Sequence, residues 1–67
     1  MIRVNGESRE LPAPATVGAL LDAMGIEPRR RGIAVAVEAE VVPRAAWDAH
    51  ELREGDRVEV LTAIQGG

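Results

Sequence analysis

Apolar and polar residues alternate at the start of the chain, where Ile2 and Val4 flank Arg3. Asn5-Gly6 follows at once, and then a second short run, Glu7-Ser8-Arg9-Glu10-Leu11. Asn-Gly between two extended runs is a strong hairpin signal, because both central residues of a type I′ turn need positive φ. The pattern predicts a β-hairpin over residues 1–11, closed by Pro12-Ala13-Pro14. The period then changes. Val17, Leu20, Leu21 and Met24 fall at i, i+3, i+4 and i+7, one apolar stripe on a two-turn helix with Thr16 as its N-cap. Gly25 offers the left-handed residue that closes a helix, and Ile26 is placed to fold back onto Leu21 as in a Schellman motif. Pro28 prevents a restart. So short a helix is unstable alone, so it must lie on a sheet.

Period two returns downstream. Ile33, Val35 and Val37 alternate with Ala34, Ala36 and Glu38, a strand with one branched face and one small face. Val41-Val42-Pro43 reads as a brief strand at a sheet edge, where the missing proline N–H does no harm. Ala45-Ala46-Trp47 predicts a helical turn that presses the ring into the core. Glu54-Gly55-Asp56 is a turn into Arg57-Val58-Glu59-Val60-Leu61, in which Val58 and Val60 point one way. The order β-β-α-β-β-β gives an α+β fold: a small mixed sheet with one main helix packed on one face. Nothing repeats and no linker interrupts the pattern, so residues 1–67 are expected to form a single domain. Residues 64–67 are expected to be its flexible tail.

Composition narrows what such a domain can do. A 67-residue chain of 7.1 kDa buries only about 60% of the surface that its unfolded form exposes, too little to wall a deep catalytic pocket. Cysteine, phenylalanine and tyrosine are absent and there is 1 tryptophan. Disulfide staples, thiolate zinc sites and thiol nucleophiles are thereby excluded, and the core rests on aliphatic packing. All 8 basic residues are arginine, which removes any Schiff-base lysine. A net charge of −3 and a pI near 5.0 argue against nucleic acid as a partner. The N-terminal stretch lacks the charged-then-apolar pattern of a signal peptide, and the longest apolar run, residues 32–37, is too short to span a bilayer. A cytoplasmic protein without a membrane partner is expected.

No side-chain constellation predicts catalysis. Asp48-Ala49-His50-Glu51 offers three potential ligands, but no second cluster completes a metal shell. His50 has no evident partner or pocket for general-base work, and Glu38 and Glu40 straddle a turn rather than a cleft. Arg29-Arg30-Arg31 is the one charge run; without interleaved aromatics it reads as a solvated loop or the rim of an interface. The terminus is different. Ile64 to Gly67 can reach roughly 13 Å beyond the last strand at about 3.3 Å per residue. Gly66 and Gly67, without Cβ atoms, make a tip thin enough for a narrow channel. A carboxylate is a poor electrophile, so it would need activation, typically as an acyl-adenylate.

These residues together resemble a known family. The hairpin at Asn5-Gly6, the helix entered by Thr16-Val17 with Leu20-Leu21, and the strand Ala34-Val35-Ala36-Val37 are similar to those of the ubiquitin-like sulfur carriers. So are Val41-Val42-Pro43-Arg44 with Trp47, Leu52-Arg53-Glu54-Gly55-Asp56-Arg57-Val58, and the terminal Gly66-Gly67. The likeness is closest to the carriers of thiamine biosynthesis, the ThiS family. It implies a β-grasp fold and a protein that is acted on rather than an enzyme. It further implies a Gly67 carboxylate that an E1-like enzyme adenylates with ATP. Sulfur from a cysteine desulfurase persulfide would then make it a thiocarboxylate for thiazole synthase. Ile64, Gln65, Gly66 and Gly67 would enter the partners' active sites, and the chain itself would hold no cofactor and no metal. If the branched face of the sheet meets the helix, Arg3, Ala34, Ala36, Glu59 and Leu61 share the other face and are expected to dock those partners. The small subunit of molybdopterin synthase, other thiocarboxylate carriers, and a β-grasp interaction module binding RNA through Arg29 to Arg31 stay open as alternatives.

Overall fold

The computed structural model describes residues 1–27 and 32–62. Strand β1 (Ile2–Val4) turns at Asn5-Gly6 into β2 (Glu7–Arg9), and both turn residues take positive φ, 52° and 85°. Helix α1 (Val17–Ala23) follows, then β3 (Ile33–Val37), β4 (Glu40–Val42), a 3₁₀ turn (Arg44–Ala46) and β5 (Arg57–Thr62). The sheet order is β2-β1-β5-β3-β4. β5 runs parallel to β1 and antiparallel to β3, so the last strand lies between the two hairpins. This mixed sheet with its one helix is the α+β fold that the pattern predicts and the β-grasp arrangement that the resemblance implies. The first hairpin is shorter than expected, its second strand ending at Arg9.

The helix forms for the reasons its sequence suggests. Thr16 is extended, and its side-chain oxygen accepts the Ala19 N–H at 3.1 Å. At the other end Met24 is the C-cap and Gly25 has φ 76°. The Ile26 N–H donates to the Leu21 carbonyl at 2.9 Å and the Gly25 N–H to Asp22 at 3.0 Å, the paired bonds of a Schellman motif. Val17, Leu20 and Leu21 are buried against Ile2, Val4, Val35, Val37, Val42, Val58 and Val60 in one core, which Trp47 and Leu52 complete. Pro28 and Arg29 to Arg31 lie outside the described residues. No helix among the described residues is long and apolar enough to cross a membrane.

Two details were not evident from the pattern. The Asn5 side chain substitutes for a strand residue: its amide donates to the Val60 carbonyl at 3.1 Å and its oxygen accepts the Val60 N–H at 2.8 Å. The β1–β5 ladder thus extends past the end of β1. The turn between β3 and β4 is made by Glu38 and Ala39, both in the left-handed region at φ 50° and 68°. Main-chain and side-chain bonds to Arg57 hold Glu38 there; Ala39 has no such compensation from its own side chain. For a residue with a Cβ this conformation costs about 1–2 kcal/mol, while glycine loses about 0.5–1 kcal/mol to unfolded-state entropy. Ala39→Gly is therefore expected to stabilise the domain by about 0.5–1 kcal/mol, measured as an upward shift of the urea midpoint with unchanged slope.

Candidate functional site

Alternation along the last strand divides its side chains. Val58 and Val60 enter the core, and Arg57, Glu59 and Leu61 point outward. Register then decides which neighbours share that outer face. Ala34 lies opposite Leu61 and Ala36 opposite Glu59 across β3–β5, while Arg3 lies beside Arg57 across β1–β5. The five residues expected to share a face, Arg3, Ala34, Ala36, Glu59 and Leu61, are brought together on it. Leu61 is 66% exposed, a large apolar side chain that the fold leaves in water.

One residue of this face was missed. Val41, 76% exposed, pairs with Ala36 across β3–β4. Only the register shows it: Val42 is opposite the buried Val35, so its neighbour Val41 has to point outward. With Ala34, Ala36, Glu59 and Leu61 it lines a shallow depression of about 110 Å³. Small residues at 34 and 36 form its floor, and Val41 and Leu61 are its apolar walls. Such a face suits an apolar contact with another protein better than a small molecule.

The segment weighed above as a ligand source has a main-chain role. The His50 carbonyl accepts the Val17 N–H at 3.1 Å, and the Trp47 carbonyl accepts the Gly18 N–H at 2.9 Å. Glu51 forms a bridge with Thr16. Residues 47–51 thus satisfy the free N–H groups at the start of α1, which a helix cannot satisfy itself. Asp48 occupies the space beside Gly18. Among the described residues no three His, Asp or Glu side chains converge to hold a metal ion.

The described residues end at Thr62, the last residue of β5 and one past Leu61. Ile64, Gln65, Gly66 and Gly67, expected to enter a partner's active site, lie outside the described residues.

Comparison with known proteins gives a consistent result. The family model described as ThiS family matches residues 2–67. The chain is similar to a sulfur carrier protein ThiS from Thermus thermophilus, with 37% identity over 67 residues that cover 100% of both chains. It is also similar to a thiazole synthase from Paramagnetospirillum magneticum, with 36% identity over 64 residues. That match takes in 96% of this chain, but the chain spans only 19% of the relative's length. Among solved structures, a thiamine biosynthesis protein (ThiS) from Geobacter metallireducens superposes with a TM-score of 0.75 at 31% identity. It covers 98% of this chain and 97% of its own.

Proposed function

The chain belongs to the ThiS family, and from that membership we propose that it is a sulfur carrier protein of thiamine biosynthesis, with its cargo held as a thiocarboxylate on Gly67. The observation that carries this reading is a family match running through Gly66 and Gly67 in a chain without cysteine. The absence of a side-chain thiol agrees with a carrier that holds its sulfur on a main-chain carboxylate. The carrier is not itself a catalyst. An E1-like enzyme supplies the chemistry: the carboxylate attacks ATP, pyrophosphate leaves, and an acyl-adenylate forms. The terminal sulfur of a persulfide from a cysteine desulfurase then displaces AMP, and two-electron reduction of the acyl disulfide by a thiol frees the thiocarboxylate. ATP is thus bound by the activating partner, and the carrier needs no cofactor of its own.

Thiazole synthase is the acceptor in this reading. A relative that carries that name and contains a region like this whole domain supports the pairing. The ThiS family match and a solved relative named as a thiamine biosynthesis protein favour this pathway over molybdopterin synthesis. A cytoplasmic location suits a carrier that works between such enzymes. The outer sheet face, with Leu61, Val41, Ala34, Ala36, Glu59 and Arg3, docks each partner while residues 64–67 reach inward.

Intact-mass analysis tests the chemistry. Incubation with ATP, the activating enzyme and a persulfide donor should exchange one oxygen for sulfur at the C-terminus. A mass that never changes under conditions that thiolate a known carrier refutes the reading. The docking face has its own test. Leu61→Arg places a charge in the apolar contact and is expected to weaken binding to thiazole synthase by about tenfold or more. Because Leu61 is exposed, the melting temperature should hardly move. Unchanged affinity would remove Leu61 from the interface.

A further inference from the structure

Arg3 and Arg57 stand side by side on the outer sheet face, paired in register across β1–β5, and both are exposed. Like charges at directly neighbouring strand positions destabilise a sheet, and the fold offers these two little relief. The Arg3 guanidinium donates to the Gly6 carbonyl at 3.1 Å. The Glu38 carboxylate accepts the main-chain N–H of Arg57 at 2.6 Å, not its guanidinium. Among the described residues the ion pair is that of the Met1 amino group with Glu54, and neither arginine joins one. The face is therefore polarised along β5. Its apolar end, at Leu61 and Ala34, lies beside Thr62, the last described residue of the strand; Val41, Ala36 and Glu59 lie level in the middle, and the basic end lies at the start of the strand.

We propose that Arg3 and Arg57 are the orienting half of the docking face, and that they recognise carboxylates bordering an apolar patch on the partner enzyme. This rests on the docking-face reading given above and adds what the partner must present. Arg57 and Leu61 are four residues apart on one strand, so the carboxylates lie roughly 13 Å from the apolar contact at about 3.3 Å per residue. The arrangement has a directional consequence. A carrier rotated half a turn on the partner's surface sets Leu61 against carboxylates and the two guanidinium groups against apolar side chains. Both contacts then fail, which selects against the wrong orientation. In the favoured orientation β5 points its Thr62 end at a fixed side of the partner, where a tail must enter. The net charge of −3 gives the pair a further use: an acidic partner surface meets general repulsion except at this corner, so approach is steered as well as oriented.

The test is binding to thiazole synthase from the same host at low and high salt, for the wild type, Leu61→Arg, and the double variant Arg3→Gln/Arg57→Gln. The double variant is expected to bind about tenfold more weakly at low salt, with most of the salt dependence gone. It should also melt about 1–3 °C higher, because the repulsion between neighbours is relieved. Arg3→Glu/Arg57→Glu should weaken binding by about a hundredfold. The inference is overturned if the double variant keeps wild-type affinity and salt dependence while Leu61→Arg still weakens binding. If Leu61→Arg has no effect either, the docking face itself is wrong. Self-association of the wild type that the double variant abolishes would overturn the proposal in favour of a second copy as occupant.

Discussion

Trp47→Ala is expected to leave the domain largely unfolded at 37 °C. The indole is 3% exposed and is the one aromatic ring in a core otherwise made of Val, Ile and Leu. Truncating a buried Trp or Phe to Ala costs about 3–5 kcal/mol, and a chain of 67 residues is stabilised by about 3–10 kcal/mol in all. A second loss adds to the cavity. The indole N–H donates to the Val42 carbonyl at 2.9 Å on β4, an edge strand of the described sheet. Without that donor the carbonyl is left unsatisfied, a cost of about 1–3 kcal/mol. Trp47→Phe separates the two effects, since it keeps most of the apolar volume and removes the N–H. Circular dichroism during urea titration should show Trp47→Phe folded with a lowered midpoint and Trp47→Ala without a folded baseline. Equal midpoints for the two variants would show that the ring's volume contributes little.

The elements legible in the sequence share one property: each rests on a signal contained within a few residues. Asn5-Gly6 announces its own turn, Thr16 and Gly25 bracket α1, and the alternation from Ile33 to Val37 separates the two faces of β3. What could not be read required partners distant in the chain. The two bonds from the Asn5 side chain to Val60 span 55 residues, and nothing near Asn5 distinguishes a turn residue from one that also extends a ladder. The turn between Glu38 and Glu40 was legible, but the left-handed backbone of Glu38 and Ala39 escaped for a related reason. Neither residue favours positive φ by itself, and the compensation comes from Arg57, 19 positions away.

The outer face was partly legible because side-chain period two transfers from strand to strand once the register is known. The alternation in β3 and β5 gave Ala34, Ala36, Glu59 and Leu61. Val41 required the β3–β4 register as well, because Val41-Val42 read alone does not say which of the two valines is inside. The Arg3–Arg57 juxtaposition is less accessible still. It depends on the parallel pairing of the first and last strands, a contact that no local pattern encodes. The carrier role was legible through family resemblance instead of geometry, carried by motifs spread over residues 2–67.

One alanine appended after Gly67 is expected to abolish thiolation. The Gly67 carboxylate then becomes an amide carbonyl, which has no free oxygen to attack the α-phosphate of ATP. The new carboxylate lies about 3.3–3.6 Å further along an extended chain and is attached to a carbon bearing a Cβ, which a channel fitted to glycine excludes. Misplacement of a reacting group by even about 1 Å can cost on the order of a hundredfold in rate. A shift of a whole residue, combined with the steric block, should put the reaction below detection in the intact-mass assay. Docking offers the internal control. The appended residue leaves Leu61, Val41 and the two arginines untouched, so affinity for thiazole synthase should fall much less than thiolation does. A comparable loss of both would mean that the tail, and not the sheet face, supplies most of the binding. Thiolation that persists after the extension would refute the Gly67 mechanism. In a chain without cysteine, that result would require the activating enzyme to accept a carboxylate at a position the family's Gly-Gly end does not specify.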